Sequence, residues 1–119
     1  MKIGVPSEIK AQESRVGLTP LSVQELTNHG HEVLIQDNAG FGAGFENEDY
    51  QKAGAHIAPS AGDVFNDSDM IVKVKEPQSE EVSMLRENQL LFTYLHLSAA
   101  PELTKGLVES KSICIAYET

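Results

Sequence analysis

A second cysteine is missing from this 119-residue chain. Cys114 stands alone, so no internal disulfide can form and a reducing compartment is the simpler setting. Basic residues are scarce, with 9 Lys and Arg against 18 Asp and Glu and no two of them adjacent. A net charge of −9 without a basic run argues against nucleic acid or an anionic membrane as a partner, because the phosphate field would repel it. No apolar run approaches the roughly 20 residues a membrane span requires. The opening run Met1 to Pro6 is too short for a signal peptide. With one isolated Cys and no HExxH spacing, a zinc site has little support. What remains is a cytoplasmic soluble domain, residues 1–119, of ordinary composition and long enough to bury a real core.

Within that frame, short β-rich runs alternate with helical ones. Lys2 to Val5 reads as a strand stopped by Pro6, which cannot donate to a ladder. Ser7 to Gly17 is polar and weakly periodic, hence a loop. Thr19-Pro20 supplies a cap and a first-turn proline for a helix with Leu21, Val23 and Leu26 on one face, ended by Gly30. Strands follow at 32–36, 55–58, 70–75, 90–95 and 112–117. Helices fall at 46–53, 60–65 (with Ser60 as cap), 79–87 (with Ser79 as cap) and 101–110. His29 is placed to favour the C-terminal dipole of the first helix. Cys114, between Ile113 and Ile115, reads as a small buried apolar side chain. The alternation implies crossover helices between parallel strands: an α/β doubly wound, mainly parallel sheet with helices on both faces, Rossmann-like or flavodoxin-like. The chain stops two residues after its last strand, which reads as a domain cut short there.

In a parallel sheet every strand-to-helix loop lies on one edge, and ligands bind outside the carboxyl ends of the strands. Arg15 follows the first strand, Lys75 ends the 70–75 strand, and His96 follows the 90–95 strand. If the latter two strands are parallel neighbours, a cation and an imidazole open onto one crevice. Two cations on that edge suit a small carboxylate, Arg through its planar fork and Lys as a compact charge. The imidazole is available for proton transfer at an adjacent oxygen. Lys73 shares the strand face of Lys75 and is its rival, although it sits deeper.

Two other readings fail on particular residues. Gly40, Gly42 and Gly44 suggest a dinucleotide fingerprint, but its third glycine falls where the chain has Phe45. No acidic partner ends the following strand, which runs into Ala58-Pro59, so a tight glycine turn is the better reading. A phosphoacceptor receiver domain needs an aspartate ending the third strand, where the chain has His56-Ile57-Ala58-Pro59.

Longer stretches carry a resemblance. Ile3-Gly4-Val5-Pro6-Ser7-Glu8-Ile9-Lys10, Glu13-Ser14-Arg15-Val16-Gly17-Leu18-Thr19-Pro20, Lys73-Val74-Lys75-Glu76-Pro77, Leu91-Phe92-Thr93-Tyr94-Leu95-His96-Leu97 and Ala116-Tyr117-Glu118-Thr119 closely resemble the alanine dehydrogenase and nicotinamide nucleotide transhydrogenase family. The KVKEP and TYLHL stretches look more like the alanine enzyme. The resemblance implies NAD-dependent, reversible oxidative deamination of L-alanine to pyruvate and ammonia. By matching motifs, Arg15 and Lys75 would bind the substrate carboxylate and His96 would be the catalytic acid/base. It also implies that the family's catalytic aspartate, its NAD-binding domain and the segment completing the substrate domain lie beyond residue 119. The chain would then be the N-terminal substrate-domain portion of an oligomeric enzyme and inactive alone. The N-terminal part of a transhydrogenase α subunit and a non-catalytic carboxylate-binding module are the alternatives.

Overall fold

Parallel pairing fixes the architecture. The structure, a computed structural model, describes residues 1–93 and 101–116. Its strands are β1 (Lys2–Val5), β2 (Glu32–Gln36), β3 (His56–Ala58), β4 (Met70–Val72), β5 (Leu90–Thr93) and β6 (Ile113–Ala116). They form one sheet in the order β3-β2-β1-β4-β5-β6, with every neighbouring pair parallel. From β1 the chain winds outward through β2 to β3, then crosses back to lay β4 on the other side of β1. β1 and β4 therefore flank the point where the winding reverses, which is where an open α/β sheet leaves a crevice.

Alternate residues along each strand enter opposite cores, so both faces need apolar side chains. On one face Ile3, Val5, Val33, Ile35 and Val72 meet Val23 of α1 (Pro20–Asn28) and Tyr50 of α2 (Asn47–Lys52). On the other, Ile71 and Leu91 meet Val64 and Phe65 of α3 (Ala61–Asp67) and Leu107 of α5 (Pro101–Ser110). The doubly wound expectation holds, as does the parallel pairing of β4 with β5. No helix among the described residues is long and apolar enough to cross a membrane.

The predicted caps hold at two helices and move at a third. The Thr19 hydroxyl accepts from Ser22 N–H at 3.2 Å, and Ser60 accepts from Asp63 N–H at 3.2 Å. His29 Nδ1 lies 2.8 Å from the Glu25 carbonyl oxygen at the end of α1. The helix expected over 79–87 is instead the single turn α4 (Ser79–Val82), capped by Gln78 and not by Ser79. Glu81 Oε1 accepts from Gln78 N–H at 2.9 Å, closing a capping box. Beyond Ser83 the bonds run to the third residue back, Met84 to Glu81 at 3.0 Å and Leu85 to Val82 at 3.2 Å, so the chain tightens into turns. Cys114 is half-buried and not fully enclosed, with its sulfur 3.7 Å from Ser112 Oγ.

β4 also ends sooner than its apolar run suggests. Lys73 N–H still bonds the Phe92 carbonyl at 3.0 Å, but the next two amides turn away from the ladder. The expected ends of the 90–95 and 112–117 strands lie outside the described residues, and so does His96.

Candidate functional site

Two loops meet beside the reversal point: residues 6–19 after β1 and 73–78 after β4. Ser7 N–H donates to Gln36 Oε1 at 2.8 Å, anchoring the first loop to the end of β2. Gly17 then lies directly on the end of β4. A Cβ there would stand 2.5 Å from the Val72 carbonyl oxygen and 2.9 Å from its carbon, so only glycine permits the approach. Lys10 and Glu76 form a further ion pair between the loops.

Glu8 fastens the two loops most firmly. Its Oε2 accepts from Val74 N–H at 3.0 Å, and its Oε1 accepts from Lys75 N–H at 3.1 Å and from Lys73 Nζ at 3.0 Å. These are the amides that leave the ladder, which explains why β4 stops at Val72. Lys73 Nζ also lies 3.0 Å from Glu81 Oε2, as an ion contact more than an aligned hydrogen bond. The side chains of Glu8 and Lys73 are each 1% exposed and that of Glu81 2%. Burial pushes the Glu81 carboxyl up from the ordinary carboxylate range, and the Lys73 charge opposes that push.

That cluster gives the two lysines different surroundings. Lys73 is enclosed and committed to Glu8 and Glu81. Lys75 is half-buried at the loop, its N–H held by Glu8 and its carbonyl oxygen accepting from the Thr93 hydroxyl at 2.8 Å.

Arg15 grips a carboxylate of its own loop. Its Nε donates to Glu13 Oε2 and its Nη2 to Glu13 Oε1, both at 2.9 Å, and its backbone N–H also reaches Oε2 at 2.9 Å. The Arg15 side chain is 61% exposed, whereas that of Glu13 is 6% exposed. The Arg15 hydrogen bonds hold the Glu13 carboxyl down to about 2, and the positive charge of Lys75 pulls the same way. Of the three residues read from the sequence, Arg15 and Lys75 lie in the two loops that meet beside the reversal point. His96 lies outside the described residues.

Sequence pattern assigns no site role to Glu8 or Glu13 and reads Glu80-Glu81 as a solvated helix start, whereas Glu81 is 1% exposed. Two signals were available: a lysine inside a buried apolar strand requires an internal counter-charge, and a glutamate two positions before an arginine can reach its guanidinium.

The glycine turn at 40–44 gives a dinucleotide no cradle. At Gly40 an added Cβ would stand 2.6 Å from the Tyr50 ring, and at Gly42 it would stand 3.1 Å from the Ser14 carbonyl oxygen. The protein itself thus fills the space beside these glycines, which form a 3-10 turn over Phe41–Ala43 with Gly44 left-handed at φ 91°. The turn after β1 has no glycine before Gly17, and the Thr19 hydroxyl caps the helix that follows. Among the described residues no three His, Cys, Asp or Glu side chains converge as a metal site would require.

Comparison with known proteins agrees with this geometry. The family model described as alanine dehydrogenase/PNT, N-terminal domain, matches residues 4–119. The chain is 53% identical to an alanine dehydrogenase of Halomonas elongata over 119 residues, covering 100% of the chain and 32% of that relative. A solved L-alanine dehydrogenase superposes with a TM-score of 0.97 at 55% identity, covering 100% of the chain and 33% of the other. A transhydrogenase from Sinorhizobium meliloti superposes at 0.91 with 25% identity, covering 98% and 34%. The chain spans about one third of the length of the relatives it matches.

Proposed function

Because the chain belongs to the alanine dehydrogenase/PNT N-terminal domain family, we propose that it supplies the substrate-carboxylate site of an NAD-dependent L-alanine dehydrogenase, a cytoplasmic and oligomeric enzyme interconverting L-alanine with pyruvate and ammonia. One observation carries this reading: Arg15 grips a carboxylate, that of Glu13, with a two-point fork, in the loop that Glu8 ties to the Lys75 backbone beside the point where the sheet reverses. A substrate carboxylate would take the same two cations, Arg15 as a fork and Lys75 as a point charge. Its reacting carbon would then face the edge where the chain leaves β5 toward His96. In this reading His96 moves the proton at the oxygen of pyruvate's carbonyl or of the carbinolamine formed when ammonia adds to it, the oxygen that leaves as water before hydride transfer. Its support is position in the sequence, three residues after Thr93, together with the β4–β5 pairing.

NAD would supply the hydride acceptor, and in this reading residues other than those described hold it. Hydride transfer requires the nicotinamide to be fixed against the substrate carbon, so the 119 residues alone are expected to be inactive. Calorimetric titration with pyruvate tests the carboxylate site: binding that R15A and K75A each abolish supports it, and binding indifferent to both refutes it. Appearance of NADH from the 119-residue chain with NAD and L-alanine would refute the division of labour.

A transhydrogenase N-terminal domain is the second reading, favoured by the 0.91 superposition. The closer identity to alanine dehydrogenases ranks it second. Hydride exchange between two nicotinamide nucleotides, with no dependence on alanine, would select it.

A further inference from the structure

The reading above leaves the most deeply buried charges unused. Glu8, Lys73 and Glu81 form a cluster at most 2% exposed at the side chain, and no substrate can touch Lys73. Burying such an ion cluster gains little stability over apolar side chains of similar volume; what it can supply is a defined geometry. Here the geometry is that of Lys75. Its N–H is fixed by Glu8 at 3.1 Å and its carbonyl by Thr93, itself fully buried, at 2.8 Å. The preceding amide, Val74 N–H, is held by the other Glu8 oxygen at 3.0 Å. Glu8 thus grips two successive amides past the end of β4. Lys73, 3.0 Å from Glu8, keeps that carboxylate in place.

We propose that Glu8 is the positioning residue of the carboxylate site: it sets where the Lys75 ammonium stands by fixing the 74–75 backbone, and Lys73 anchors Glu8. This rests on Lys75 being a carboxylate ligand. Glu8 touches no substrate and acts only through Lys75. Glu81 shares the Lys73 contact but accepts from Gln78 N–H and not from the 74–75 amides. A cluster with a purely stabilising role would respond alike to neutralising either glutamate, whereas a positioning role would not.

The test is steady-state kinetics with pyruvate on the native-length protein that carries this chain, with thermal melting in parallel. E8Q should raise KM for pyruvate about tenfold while kcat changes less than about threefold, since a loosened charge weakens binding of the group it holds. E81Q should leave KM within about twofold while lowering the melting temperature at least as much. K75A is the control for the underlying reading. If K75A leaves KM unchanged, Lys75 is no ligand and both conclusions fall. If K75A raises KM while E8Q leaves it near wild type, or E8Q and E81Q raise it equally, the positioning role alone is overturned. Should E8Q fail to fold, E8Q/K73M/E81Q removes all three buried charges together, leaves neither an orphaned ammonium nor an orphaned carboxylate, and should still raise KM.

Discussion

Lys73→Met is the substitution for which the buried cluster gives the sharpest expectation. It removes an ammonium at 1% exposure that stands 3.0 Å from both Glu8 and Glu81. Methionine fills a similar volume, so the change is electrostatic. Two carboxylates remain with no cation between them. Glu8 keeps two backbone amide donors, and Glu81 keeps only Gln78 N–H. Removing one partner of a buried pair costs about 3–5 kcal/mol, which sets the expected loss near pH 8. The loss should shrink in acid. Burial already raises the Glu81 carboxyl above 4.5, and Lys73 is the main charge holding it down, so the variant's folded state takes up a proton more readily than its unfolded state. A raised folded pKa gives stability that is full below the unfolded value and lost as pH rises through the folded one. Urea denaturation at pH 5 and pH 8, with midpoints and slopes compared, measures both effects. A loss below about 1 kcal/mol at pH 8, or a larger loss at pH 5 than at pH 8, would refute the reasoning.

Gly17→Ala should destabilise by about 1–3 kcal/mol through overpacking, because its Cβ would meet the Val72 backbone at 2.5 Å; it should also weaken pyruvate binding, and calorimetry and melting check the two effects together. Arg15→Ala should release the Glu13 carboxyl from about 2 toward 4.5, visible in an NMR titration of its side-chain carbon. In the wild type this depressed value gives stability that is present above about 4.5 and lost as pH falls toward 2; in the variant that acid-side loss should be smaller.

Much of the fold was legible because parallel sheets write themselves into sequence. Runs such as Val33-Leu34-Ile35 and Met70-Ile71-Val72 are apolar without alternation, since both faces are covered. Thr19-Pro20 and Ser60 announced their helices through the chemistry of the first turn. The shortfall came where a side chain competed with the backbone. The 70–75 run looked like one strand because Val74 is apolar, yet Glu8 captures the amides of Val74 and Lys75 and ends the ladder at Val72. Ser79 looked like a cap because serine often is one, but Glu81 turns inward toward Lys73 and closes its box on Gln78. Strand-edge logic alone placed Arg15 and Lys75 on a common edge. It could not find Glu13 or Glu8, because a partner's identity depends on loop paths that hydrophobic patterning does not encode.

The grip of Glu8 on the far loop has a consequence for how the site comes into being. Its contacts with Lys73, Val74 and Lys75 span 65, 66 and 67 positions of sequence. They close only when β4 has docked against β1, after the chain has completed its excursion through β2 and β3. Pairings of such high contact order carry the loop-closure entropy of everything between them and form late. The junction of the two loops therefore has no existence as a local motif: no excised loop or hairpin would retain it. If a substrate carboxylate binds at this edge as proposed, its binding would report on the integrity of the whole sheet as directly as on Arg15 and Lys75.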